Sequence, residues 1–136
     1  MSPSADPSAS WVLLRHEGGS TPPHYDLMLA EGDAYFTLRL PHDPFSRPLQ
    51  RGERIADHPL EFFEREGVLS GGKGFVRRMG RGRLEGQGPP SAGGSFRLLR
   101  EDGTALRLRL ERAGERDWTV SAAPESPPSG AGAKSR

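Results

Sequence analysis

The residues best suited to chemistry in this sequence are His16, His24 and Asp26. The stretch His24-Tyr25-Asp26-Leu27-Met28-Leu29 alternates polar and apolar positions, which predicts a β-strand. A period of two sends His24, Asp26 and Met28 to one face and Tyr25, Leu27 and Leu29 to the other. The second set reads as a core face. In the first set, a histidine and an aspartate two apart form half of a metal site, and imidazole with carboxylate suits Mn, Fe or Zn. His16 ends the apolar run Trp11-Val12-Leu13-Leu14, and residues 17–23 read as a Gly- and Pro-containing hairpin loop. A hairpin would bring His16 beside His24 at one rim, with Asp26 one step inside. The plainer alternative is a pair of solvated or capping histidines, because such short spacings also arise by chance.

A second motif follows, Asp57-His58-Pro59-Leu60-Glu61-Phe62, and then Glu66-Gly67-Val68-Leu69 leading into Gly71, Gly72 and Gly74. In this order, with His16 and His24-Tyr25-Asp26 ahead of them, these pieces resemble the 3′-phosphoesterase domain of bacterial DNA ligase D. Leu106-Arg107-Leu108-Arg109-Leu110 and Trp118-Thr119-Val120 look like that domain's closing strands, so the resemblance covers most of residues 11–121. No single piece is specific; the ordered set is.

The resemblance implies a small antiparallel β-barrel with the active site in a central hollow. It implies metal-dependent 3′-end healing in DNA repair, removing a terminal ribonucleoside and then the 3′-phosphate. The implied cofactor is manganese, Mn2+, with Zn2+ or another transition metal as the alternative; His16, His24 and Asp26 are its expected ligands. A divalent metal polarises a phosphoryl oxygen and can activate water. By the same carry-over His58 contacts the scissile phosphate or protonates its leaving oxygen. Asp57 would orient His58 or the nearby backbone, although a carboxylate before His-Pro equally serves as a turn-former. Pro59 disfavours a helical conformation at His58.

Three departures stand out. Met28 occupies the position where the family has a phosphate-clamping Arg, and Met neither donates a hydrogen bond nor carries charge. Phe62 replaces a Tyr, and the loop between His16 and His24 is longer than the usual one. Either another Arg reaches the phosphate, with Arg15, Arg39 and Arg77 as candidates, or the chain is a catalytically impaired module that binds nucleic-acid ends or a protein on the same fold.

The elements that must position these groups are short. Strands are expected at residues 11–15, 24–29, 34–40, 54–56, 73–79, 82–85, 95–100, 105–111 and 117–121, with one helical turn over 60–65. Asp102-Gly103 is a hairpin signal. Many short strands with Gly and Pro turns argue an all-β sandwich or barrel. The glycines at 71–74 are a turn into a strand and not a Walker loop, since no Gly-Lys-Ser/Thr ending or long helix follows.

With 136 residues the chain supports one domain. It is placed at residues 11–122, between Ser-, Pro-, Gly- and Ala-rich tails at 1–10 and 123–136 that are expected to be disordered. Cysteine is absent, which excludes disulfides and thiolate metal sites and fits a reducing compartment. No apolar run is long enough to span a membrane and the first residues lack a signal-peptide pattern, so a cytoplasmic monomer with no membrane partner is expected. The expected partners are nucleic-acid 3′ ends on a DNA or RNA primer-template, and a repair ligase or polymerase on separate chains. Net charge is +1, but 17 of the 19 basic residues are Arg, the side chain whose planar fork matches phosphate. A GC-rich genome would produce the same bias.

Overall fold

Strand-length alternation broken by Gly, Pro and Asp turns favours a sheet, and a sheet with one apolar face gains by closing on itself. The computed structural model describes residues 10–20, 22–61 and 66–125. Among them it shows β1 (Trp11–Glu17), β2 (His24–Glu31), β3 (Ala34–Leu40), β4 (Leu49–Pro59), β5 (Gly67–Val68), β6 (Phe75–Gly86), β7 (Gly94–Arg100), β8 (Ala105–Arg112) and β9 (Asp117–Glu125). The protein is all-β and antiparallel. Its order β1-β2-β3-β4-β9-β8-β7-β6 is closed by pairing β6 with β1, giving an eight-stranded barrel, and β5 adds a short rung to β6. No helix of the described residues is long and apolar enough to cross a membrane.

The inward residues form one cluster that includes Leu13, Leu27, Phe36, Leu38, Leu98, Leu108, Trp118 and Val120. Phe36 and Trp118 meet edge to face at 5.3 Å. Trp11 is fully buried, and its indole N–H donates to the Leu99 carbonyl at 2.9 Å. Gly82 makes room for this contact: a Cβ there would lie 1.7 Å from the same carbonyl oxygen. Fully burying one large apolar side chain contributes about 1.5–3 kcal/mol, so this interior is where much of the stability resides. The central hollow expected to hold the active site is therefore filled with apolar side chains. Period-two alternation sends His24 and Asp26 to the opposite, outer face.

A second, smaller apolar cluster lies on that outer face. Val12, Leu14, Met28, Tyr35 and Val76 are buried there, with Ala30, Leu60 and Leu69 packed against them. Leu60 and Leu69 belong to the connection between β4 and β6, and these two side chains contribute to the cover over the outer face of β1, β2 and β3.

Several boundaries differ from expectation. β4 spans eleven residues, not three. Its inward positions are Gln50 and Gly52, so the apolar alternation that would mark a strand is missing; a Cβ on Gly52 would meet Leu40 at 2.6 Å. The expected strands at 73–79 and 82–85 are one strand, β6, whose glycines accommodate Trp11 instead of ending the strand. β6 can be long because its first half pairs with β1 and its second with β7. Residues 123–125, assigned to a tail, pair with β8. Ser10 is also tied down, its backbone bonding to Gly82 and Ala30 and its hydroxyl accepting from the Leu84 amide. The remainder of both expected tails, Phe62 and the rest of the helical turn beyond Glu61 lie outside the described residues.

Candidate functional site

Cross-strand register places the chemical residues in rows across the outer face. His16 of β1 pairs with His24 of β2 and Val76 of β6. One row in, Arg78, Leu14, Asp26 and Arg39 are successive partners, continued by Glu53 of β4 and Asp117 of β9. The next row runs through Met28, Thr37 and Ile55, and the last through Ala30, Tyr35 and His58. A bulge in β4 between Ile55 and His58 keeps both on this face.

The expected meeting of His16 and His24 is observed. His16 Nδ1 and His24 Nε2 are 3.1 Å apart, with the rings edge to face. Each ring's other nitrogen faces a backbone carbonyl: His16 Nε2 to Lys73 O at 2.7 Å and His24 Nδ1 to Pro22 O at 3.1 Å. A carbonyl only accepts, so those two nitrogens carry the protons and donate. In the neutral rings the facing nitrogens then both present lone pairs. Two lone pairs at this separation repel unless a proton or a cation lies between them. Nitrogens bound to one transition metal at about 2.0–2.1 Å each come to roughly this separation, and ligating histidines usually donate their second N–H to a carbonyl or carboxylate. The donor chemistry of this pair therefore fits a divalent cation.

Two features hold the pair. Gly74 has φ +90°, and a Cβ there would lie 2.1 Å from the Glu17 carbonyl; only glycine lets this turn press against the β1–β2 loop and aim Lys73's carbonyl at His16. Pro22, two residues before His24, supplies the other acceptor. Neither carbonyl was foreseen from the sequence; the glycine run and the double proline were the available signals.

Asp26 is buried and directed differently. Its Oδ1 accepts from Arg39 Nε at 3.2 Å. Among the described residues no group of three or more His, Cys, Asp or Glu is gathered closely enough to hold a metal ion. Burial pushes the pKa of His24 below its ordinary value of 6.5, and the Arg39 charge adds to this, against the Pro22 carbonyl and Asp26, which favour the protonated ring.

The other candidates are dispersed. Arg39 shares the outer face with the histidines and lines a groove of about 460 Å³ together with His24, Pro22, Pro23, Arg51 and Glu53. Arg15 and Arg77 are cross-strand partners one position off the histidine row, and so project to the other face. Arg15 lies over the Tyr25 ring and pairs with Glu17, and Arg77 lies over Phe75. His58 stands three rows from the histidine pair; its Nδ1 donates to Ala56 O at 2.9 Å. Six residues of strand separate those rows, roughly 20 Å. Asp57 pairs with Arg54 at 3.3 Å. Between His24 and His58 lies Met28, fully buried in the outer apolar cluster. Tyr35, beside His58, has its pKa pushed up to about 12 by burial, which marks the same ground as dry.

No protein-family model matches this chain, and no curated protein matches it either.

Proposed function

We propose that this barrel is a divergent, metal-dependent 3′-phosphoesterase acting on DNA or RNA 3′ ends in repair. The observation that carries the reading is the His16–His24 pair. Both rings are oriented by backbone carbonyls, both bare nitrogens face each other at 3.1 Å, and an open groove lies beside them. The ordered resemblance of the motifs to the 3′-phosphoesterase domain of DNA ligase D supplies the reaction class.

His16 and His24, with Asp26 as the nearest carboxylate on their face, would hold Mn2+ or a related divalent ion. Such an ion polarises a phosphoryl oxygen and lowers the pKa of water. The carbonyls of Lys73 and Pro22 keep the two rings in the tautomers that present lone pairs. Arg39 pairs with Asp26 through Nε, so the two charges offset each other beside the groove. His58, roughly 20 Å along the strands from the pair, is out of hydrogen-bond reach of a phosphoryl group held there and takes no part in that step.

The test is incubation of the full chain with manganese and a duplex ending in a 3′-phosphate or a 3′-terminal ribonucleotide. Release of phosphate or nucleoside, lost in His24→Ala, is the expected result. Absence of bound metal, or full activity in His24→Ala, overturns the reading.

A second reading has its own observation. Met28 and its apolar neighbours fill the ground between the histidine pair and His58. A module that binds nucleic-acid ends or a protein without turning them over needs no polar path there. It predicts nucleic-acid binding that weakens with salt and no turnover with any divalent metal.

A further inference from the structure

β6 changes phase partway along its length. Val76 and Arg78 pair with His16 and Leu14 of the outer face. Leu13 then pairs with Gly80 and Val12 with Arg81, so Met79 is one residue too many and forms a β-bulge. The bulge turns Arg81 and Arg83 outward and leaves Gly80, Gly82 and Leu84 on the inner side. Without it, the period of two would send both arginines into the apolar interior. The same stretch has an open backbone edge. β5 pairs with β6 only at Phe75 and Val76, and β7 only from Gly82 onward. On that side, among the described residues, no strand pairs with residues 77–81. A groove of about 500 Å³ lies there, between Arg78, Met79 and Arg81 and the β7–β8 turn. We propose that this edge of β6 is a track for the sugar–phosphate backbone of one nucleic-acid strand, gripped by Arg81 and Arg83. The proposal rests on the nucleic-acid reading above and concerns the body of the strand, not its terminal phosphoryl group.

Charge is the first support. Residues 73–84 carry Lys73, Arg77, Arg78, Arg81 and Arg83 and no carboxylate. Among the described residues no carboxylate is within ion-pair distance of Arg83, which is exposed. Arg81 pairs with Glu101 at 3.6 Å, but the Glu101 side chain is 76 % exposed, and so open an ion pair is weak enough for a phosphate to displace. The other charges nearby are engaged elsewhere. Asp102 accepts from the amide and hydroxyl of Thr104, Arg100 lies over the Phe45 ring, and Glu85 pairs with Arg97. The open edge itself supplies the second support. The Arg78 amide, inside the gap, donates to a Glu66 carboxylate oxygen at 3.1 Å, so this edge already holds an anion by a backbone N–H. Spacing is the third. Arg81 and Arg83 stand two residues apart on one face, about 7 Å, close to the separation of successive phosphates on an extended strand. Continuity is the fourth. Val76 lies across from His16, so a backbone following β6 from Arg83 arrives beside the histidine pair after roughly 20 Å.

The experiment measures binding of a short single-stranded DNA with a 3′-hydroxyl end to the full chain, metal-free and in chelator, by fluorescence anisotropy over a range of salt concentrations. Without metal, turnover does not interfere. Each phosphate contact on a single strand adds about 0.7 to the slope of log affinity against log salt, so the parent is expected to show a slope of about 1.4 or steeper. Arg81→Gln and Arg83→Gln should each lower the slope by about 0.7, and the double substitution should remove both contributions. Glu101→Gln takes away the competing carboxylate and should tighten binding. Arg107→Gln, at an exposed arginine of β8 outside the track, should leave the parent's slope. A parent that does not bind, a slope that survives the double substitution, weaker binding in Glu101→Gln, or an equal loss in Arg107→Gln overturns the track. Manganese-dependent turnover then decides the phosphoesterase reading separately. Binding with the expected pattern and no turnover keeps the track and overturns the phosphoesterase reading.

Discussion

The two faces of β1, β2 and β3 do different work. The inner face joins residues from around the whole barrel into one apolar interior. The outer face holds a smaller apolar pad at its middle and the histidine pair at its rim. Alternation along the same three strands separates the barrel interior from the face that carries the histidine pair, one residue to each side. Met28, between Leu27 and Leu29, belongs to the outer apolar pad, so on β2 it is His24 and Asp26 that stand at the polar rim. Changes inside should unfold the protein, and changes at the rim should disarm it.

The largest effect is expected inside. Trp118→Ala removes a buried ring that meets Phe36 edge to face, and it should cost about 3–5 kcal/mol in urea unfolding. That is a large share of the stability of a domain this size. Met28→Arg tests the pad between the two faces. It places an unpaired cation where the native side chain has no exposure, and should cost about 3 kcal/mol or more by the same assay. If Met28→Arg were as stable as the parent, the pad would be open ground.

Smaller still is the expected cost of His24→Ala. Its effect on stability should be about 1 kcal/mol or less. Manganese binding measured by calorimetry should nonetheless fall by at least about tenfold, the low end for disturbing a metal site. Equal losses in stability and metal affinity would erase the distinction between the faces. The gentlest perturbation is acid. His24 has a folded pKa below 6.5, so below that value the unfolded chain binds a proton that the folded chain resists. Stability of the metal-free protein is therefore full above pH 6.5 and declines as pH falls through that value toward the folded pKa. His24→Gln should flatten this slope in thermal melts.

The barrel was legible because apolar alternation in β2, β3, β8 and β9 is strong and β1 opens on an unbroken apolar run. β4 was short in the sequence reading because Gln50 and Gly52 occupy inward positions where an apolar side chain would have announced the strand. β6 was split because Gly80 and Gly82 resemble breaks, whereas they make room for Trp11. The meeting of His16 and His24 followed from hairpin geometry. The carbonyls that orient them did not, since one belongs to Lys73, which reaches the site only through tertiary structure. Nor could the sequence show that Met28 is enclosed: a single residue type reveals a missing donor, but not what fills the space.

That same contact orders events in folding. His16 and His24 are eight residues apart and share a hairpin, so they can meet early. The Lys73 carbonyl is 57 residues from His16 and arrives only when β6 zips onto β1 and the barrel closes. Loop closure over that distance is among the slower steps for a chain of this length. A nascent chain released before β6 has emerged therefore carries both histidines side by side with one of them unaimed. The aiming of His16 and the completion of the barrel are reached in the same step.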